Sequence, residues 1–320
     1  MEQAPDGVPR YGESETKRLT VEAAEELLWV PQQYLDKGWF LPTDYSGSDP
    51  SVVQSARTSY GKGTTKVSVD KHLVRYLLRQ RHTTPSEAVE VQAEMKTPLF
   101  VWPRQGGRHR TMDKESVLGW YPVLQDFYEI PTDEICEQSL KNRQGRGSRL
   151  DLRVENLIRA GLKFTTELDE WADQELTEQG IPLEVRNALR GPGYYTRGTI
   201  KTDLHNGLNF LSLRNDPHSQ KEIRVNAQQW ENFIEAVAPW TIEAFRDYRR
   251  NAISFSGPDL PLIGRMIEEG LREIPFEWYK EVGWTVKDAE TGNPKRGRAA
   301  TELDGKVEML AEFIKANKKQ

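Results

Sequence analysis

The sequence predicts a mixed α and β fold, rich in helices and built on at least one half-buried strand. Three observations carry the prediction. Val89, Val91, Ala93 and Met95 alternate strictly with Glu90, Gln92, Glu94 and Lys96, the period-two pattern of a strand with one face in the core. Residues 151–179 hold the longest stretch of apolar side chains at helical spacing. Proline and glycine cut much of the remaining chain into short windows, several of which read as helices.

In chain order, residues 21–39 read as one helix, with Glu22, Glu25 and Glu26 in an acidic first turn and an interruption at Pro31. Residues 41–51 are rich in Pro, Gly, Ser and Asp and read as a loop, and 52–60 is ambiguous. Ser68 is placed to cap a helix whose first turn holds Asp70 and whose apolar stripe is Leu73, Tyr76 and Leu77. Thr84-Pro85-Ser86-Glu87 spells a capping box, but the alternation that begins at Val89 overrides it in favour of a strand. Thr97 and Pro98 then offer the start of a helix through Trp102. Residues 121–130 connect, 134–141 read as helical, and 142–149 read as a solvated Gly/Arg loop. The long helix 151–179 should carry Val154, Leu157, Ile158, Leu168, Trp171 and Leu176 on or near one face and end at a left-handed Gly180. Pro182 opens a short helix, 194–200 is extended, and 203–213 is helical. Asp216-Pro217 opens the next helix, 240–251 forms another, and an amphipathic helix 301–318 closes the chain.

The bulk numbers exclude several classes. A chain of 320 residues suits one large or two small domains. A net charge of −5 argues against a nucleic-acid coat, so a local basic patch suits a small anion better. One cysteine, Cys136, excludes a disulfide framework and a cysteine-rich metal site, and is compatible with a reducing cytoplasm. No apolar run approaches the roughly 18 residues of a membrane helix, and the polar start lacks the apolar centre of a signal peptide. The expected organisation is a flexible arm over 1–20, a core over 21–252 and a C-terminal extension over 253–320 that packs on the core.

The chemistry concentrates in Arg104-Gln105-Gly106-Gly107-Arg108-His109-Arg110. Arginine forks match phosphate or carboxylate oxygens in pairs, and glycine lets the backbone approach a ligand. By itself such a cluster is more often a solvated turn. A lone polar histidine such as His82, His205 or His218 is more often a hydrogen-bonded structural residue, Asp216 a helix cap, and Arg214 a counter-charge at a helix C-terminus. There is no GxxxxGK[ST], no GxGxxG after a strand, no HExxH and no GxSxG.

Read together, ARTSY (56–60), HTTPSE (82–87), RQGGRHR (104–110), YYTR (194–197) and LNFLSLRNDPHSQKEI (208–223) resemble the flavin-dependent thymidylate synthases in order and spacing. The resemblance implies a central, mostly antiparallel sheet with flanking helices and a homotetramer with active sites at subunit junctions. It implies FAD as cofactor, NADPH and methylenetetrahydrofolate as co-substrates, and a uracil nucleotide, UMP or dUMP, methylated at C5. Carried over by position, Ser59, His82, Thr84, Arg108, His109, Arg110, Asn209 and His218 would hold FAD. Gln105 and Arg214 would meet the nucleotide, Arg214 as the group that polarises the uracil ring.

The departures from the family pattern fall mostly in the nucleotide half. Leu118 stands where the family has serine and Trp120 where it has arginine; Glu115, Ser116 and Gly119 complete that loop, and a slip of a residue or two would let Glu115 and Ser116 restore part of it. Asp203 and His205 replace a family asparagine and arginine on the cofactor side. Asn187 replaces a phosphate-binding arginine, with Arg186 and Arg190 flanking it. A better-kept flavin half and a changed nucleotide half suggest UMP, as in the branch of the family that serves nucleoside antibiotics. A divergent enzyme converting dUMP to dTMP and a flavin-free nucleotide-binding paralogue are the alternatives.

Overall fold

The computed structural model describes residues 19–58, 67–102, 125–140, 145–270, 273–288 and 291–317. The N-terminal arm up to residue 18 and the 104–110 cluster lie outside them. The chain divides into two compact units at Arg250/Asn251.

The first unit is built on a four-stranded antiparallel sheet. After a short helix α1 (Glu22–Glu25) come β1 (Gln32–Tyr34) and β2 (Gly38–Ser46), then helices α2 (Asp49–Thr58) and α3 (Val67–Arg79). A 3-10 turn over Thr84–Ala88 leads into β3 (Glu90–Pro98). The hairpin β4 (Cys136–Gln138) and β5 (Arg146–Arg149) precedes the long helix α4 (Leu152–Glu178) and the short helix α5 (Leu183–Asn187). Then follow β6 (Tyr195–Asp203), α6 (Leu204–Arg214), α7 (Lys221–Val237), α8 (Pro239–Phe245) and a π-helical turn, Arg246–Arg250.

The sheet order is β1-β2-β3-β6, and β3 pairs with β6 from Glu90↔Asp203 to Pro98↔Tyr195. The alternation of β3 gives the sheet two unlike faces. Val91, Ala93 and Met95 are buried, while Gln92, Glu94 and Lys96 lie half-buried on the other side. Phe40 of β2 and Trp230 of α7 meet edge to face in the core, with ring centroids 4.9 Å apart. Charge pairs mark the polar face, including Lys201 with Glu90 at 2.8 Å and Arg197 with Glu94.

Several expectations are corrected. Residues 21–39 are not one helix: the helix stops at Glu25, well before Pro31, and β1 and β2 follow. Most of the expected loop 41–51 belongs to β2 and the start of α2. Pro42 is tolerated in that strand because β1 pairs with β2 only as far as Phe40, and a register shift lies between Pro42 and Asp44. Thr97 and Pro98 continue β3 instead of opening a helix. The expected helix over 134–141 is replaced, among its described residues, by the end of a 3-10 turn and β4, and the expected solvated loop contains β5. That hairpin is held by ions: Arg146 pairs with Glu134 and with Glu222, which is 1% exposed. Burial raises the Glu222 carboxyl, but Arg146 and the Gln220 amide outweigh it and hold the group below its usual range.

The long helix is present as α4, and Gly180 follows it at φ +70°, as expected. The structure adds its cap: Asp151 accepts from the N–H groups of Arg153 and Val154. Asp49 crosses from α2 to cap α8, accepting from the N–H of Trp240 (2.7 Å) and of Thr241 (3.0 Å) and from the Thr241 hydroxyl (2.6 Å). Asp49→Ala strips those donors of a buried acceptor, and we expect a loss of about 1–3 kcal/mol, read by urea unfolding.

The second unit has its own core of Leu262, Met266, Ile274, Trp278, Tyr279, Ala300, Leu303 and Val307. It consists of α9 (Asp259–Glu268), α10 (Phe276–Glu281), the hairpin β7 (Thr285–Lys287) with β8 (Pro294–Arg296), and α11 (Arg298–Asn317).

Candidate active site

α3 ends in a paired-hydrogen-bond turn. The His82 N–H donates to the Leu77 carbonyl (2.9 Å) and the Arg81 N–H to the Leu78 carbonyl (3.3 Å). Arg81 takes the left-handed position at φ +60°, where glycine is the usual occupant. The turn delivers His82 against the ring of Tyr76, edge to face at 6.0 Å.

The opposite wall comes from the β6–α6 junction. Asp203 ends the strand and caps the helix, accepting from the N–H (2.9 Å) and side-chain amide (2.5 Å) of Asn206. Asp203 was expected to hold cofactor; its carboxylate is engaged locally by the helix start. One turn on, His205 and Asn209 share a hydrogen bond of 3.2 Å. α6 packs closely on α7, since a Cβ on Gly207 would come within 3.1 Å of Ile234. His82, Ser86, His205, Asn209, Ser212 and Arg249 line one cleft, whose enclosed part measures about 40 Å³. Thr84 is exposed in the 3-10 turn, and the neighbouring Thr83 lines the cleft in its place.

Arg214 is the last residue of α6 and is half-buried. The next residue, Asn215, donates its side-chain amide to Glu231 of α7, a carboxylate 4% exposed that also receives Arg246 and Arg250. Burial raises this carboxyl, but Arg250 and Arg246 outweigh it and hold it below its ordinary value. His218 sits on the turn after α6, its side chain 83% exposed and its Nδ1 2.8 Å from Asp216 Oδ1.

Arg186 and Arg190 form a separate cluster. Both pair with Asp173 of α4, at 3.0 and 2.8 Å. The Arg186 Nε and Asn187 side-chain amide are buried with no hydrogen-bond partner among the described residues, two donors facing no acceptor.

The structure thus brings His82, His205 and Asn209 together, leaves His218 on an exposed turn and gathers Arg186 and Arg190 elsewhere. Ser59, Gln105, Arg108, His109, Arg110, Glu115, Ser116, Leu118 and Gly119 lie outside the described residues. Ser86, Ser212 and Arg249 were not singled out from sequence. The two serines lay inside the motifs quoted above, whereas nothing local marks Arg249 out from Arg250.

A family model described as "Thymidylate synthase complementing protein" matches residues 43–240, more than half of the chain. The chain belongs to the flavin-dependent thymidylate synthase family. It is 37% identical over 296 residues to the flavin-dependent thymidylate synthase of Gluconobacter oxydans, covering 91% of this chain and 93% of that one. It is 39% identical over 253 residues to that of Ehrlichia ruminantium strain Gardel, covering 79% and 85%. Among solved structures it resembles the UMP/dUMP methylase PolB of Streptomyces cacaoi. With 5-Br dUMP bound the TM-score is 0.60 at 24% identity, covering 68% of this chain and 97% of that one. With 5-Br UMP bound it is 0.59 at 26%, covering 68% and 96%. The family match ends at 240, yet the Gluconobacter alignment is long enough to run into the second unit. No helix among the described residues is long and apolar enough to cross a membrane.

Proposed function

We propose that the protein methylates a uracil nucleotide at C5, with FAD as cofactor and NADPH and methylenetetrahydrofolate as co-substrates. The observation that carries this is the convergence of His82 with His205 and Asn209 in one cleft, the last two on the helix that ends in Arg214. Residues from α3, α6 and the π turn meet there, as a shared ligand site requires. The fit to a flavin dinucleotide rests on donor chemistry: imidazole, amide, hydroxyl and guanidinium groups all face the cleft. The enclosed volume takes only a corner of so large a ligand, and the resemblance assigns the rest to residues 104–110.

When bound, the flavin supplies the hydride that completes the methyl group. The chain's own work is positioning and electrostatics. Arg214, fixed at a helix end, would set a permanent cation against a pyrimidine carbonyl and stabilise the enolate-like negative charge that develops there to make C5 a nucleophile. The buried, unpartnered donors of Arg186 and Asn187 suit the nucleotide phosphate.

The altered loop with Leu118 and Trp120, and Asn187 in place of arginine, favour UMP. The relatives at 37% and 39% identity are named thymidylate synthases, which supports dUMP as the second reading. A first test is the visible spectrum of the purified protein: a bound flavin supports the enzyme, and failure to bind added FAD favours the nucleotide-binding paralogue.

The homotetramer gives α4 a role. Its Leu157, Phe164, Leu168 and Trp171 are exposed by 72, 68, 48 and 60% along one stripe, so much of the predicted apolar face, with Phe164 added to it, is left uncovered by the described residues. Covering it with another subunit would remove that surface from water. A Phe164→Asp, Trp171→Asp double variant should therefore shift the mass in light scattering from tetramer to smaller species. An unchanged tetramer would remove this face from the interface.

A further inference from the structure

We propose that Arg249, backed by Arg81, is a cofactor-binding residue of this chain, holding the phosphate-bearing half of the flavin dinucleotide in the cleft of His82, His205 and Asn209. The proposal rests on the flavin reading above and adds a residue that no motif in the chain marks.

Arg249 lines that cleft and is half-buried. It lies in the π-helical turn Arg246–Arg250, a wider turn that recurs at functional sites. The turn separates its arginines. Arg246 and Arg250 go to Glu231, and Arg246 also pairs with Glu235. The remaining carboxylates nearby are taken as well: Asp247 pairs with Arg75, and Glu243 with Lys71 and Arg75. Arg249 is left with no carboxylate partner among the described residues.

Its surroundings make this costly. Burial, and then the like charge of Arg81, both disfavour the charged form of Arg249. Arg81 stands in the left-handed backbone position that ends α3 and has no acidic partner among the described residues either. Two guanidinium groups held near each other without an acid are relieved by a ligand with negative oxygens. The cleft also has a vacancy in charge. His205 stands where the family has an arginine, and Arg249 restores a permanent cation from a different helix.

The test is cofactor affinity, separate from turnover. Protein stripped of flavin is titrated with FAD and with riboflavin, which shares the ring system but lacks phosphate, and quenching of flavin fluorescence is followed. Arg249→Gln should weaken FAD binding by roughly 10- to 100-fold, leave riboflavin unaffected, and flatten the salt dependence of FAD binding. Arg249→Lys should recover part of the loss, and circular dichroism should show both variants folded. Equal FAD affinity in wild type and Arg249→Gln would overturn the role of Arg249 while leaving the flavin reading intact. An equal loss for FAD and riboflavin would overturn it too, by pointing to a distorted cleft. Wild-type protein that binds no FAD would overturn the flavin reading, and this proposal with it.

Discussion

Arg214→Ala should lower the rate of methyl transfer by roughly 100- to 1,000-fold, the cost of removing one preorganised charge from a developing anion. The loss should appear in single-turnover rates at saturating nucleotide, because the cation acts on charge that grows as the reaction proceeds. Arg214→Lys should recover only part of it, since an ammonium keeps the charge but loses the planar fork. The flavin content of both variants should match wild type. A single-turnover rate near wild type for Arg214→Ala would take this residue out of the chemistry and leave it as a counter-charge for the C-terminus of α6.

Glu231→Ala should cost about 3 kcal/mol, because it leaves two half-buried arginines and the Asn215 amide without their shared acceptor. The figure is at the low end for a broken buried ion pair because Arg246 keeps Glu235. For a unit of this size the melting temperature should fall by roughly 6–12 °C. Methyl transfer should slow as well, since Asn215, which follows Arg214 in the chain, is tied to Glu231 by its side-chain amide. A calorimetric scan that leaves the melting temperature unmoved would show that the network contributes nothing net.

Two separate buried carboxylates, Glu231 and the Glu222 that anchors Arg146, fix a pH dependence. Glu222 and Glu231 both have carboxyls held below the ordinary value in the folded chain. Their contribution is therefore present above the unfolded glutamate pKa of about 4.3 and is lost as pH falls through the lower folded values. Melting temperature should decline with acid below about pH 4.3, and Glu231→Gln should show a shallower decline.

What could be read in the sequence follows from how local each signal is. β3 was legible because period two persists across it, and α4 because a long stripe and a terminal glycine agree with one another. β2 was missed because its pattern is interrupted by Pro42 and a register shift. β4 and β5 were missed because strands of three and four residues carry no usable period, and Arg146 docks them on Glu222, a contact across 76 residues. The site divides in the same way. Asp203, His205, Asn209 and Arg214 share one helix and its cap, so their motif was visible. Their approach to His82 depends on β3 pairing with β6, and only the family resemblance anticipated it. The face of Arg249 is decided by a π turn, which leaves no mark on the local pattern.

The central claim is methyl transfer to a uracil nucleotide. Its most direct measurement is an anaerobic incubation with FAD, NADPH and methylenetetrahydrofolate, with UMP and dUMP offered separately and the products weighed by mass spectrometry. The account predicts one added methyl group, with UMP converted faster than dUMP. Methylated dUMP alone would contradict the UMP preference and make this a divergent thymidylate synthase. No methylated product from flavin-loaded protein with either nucleotide would contradict the claim itself.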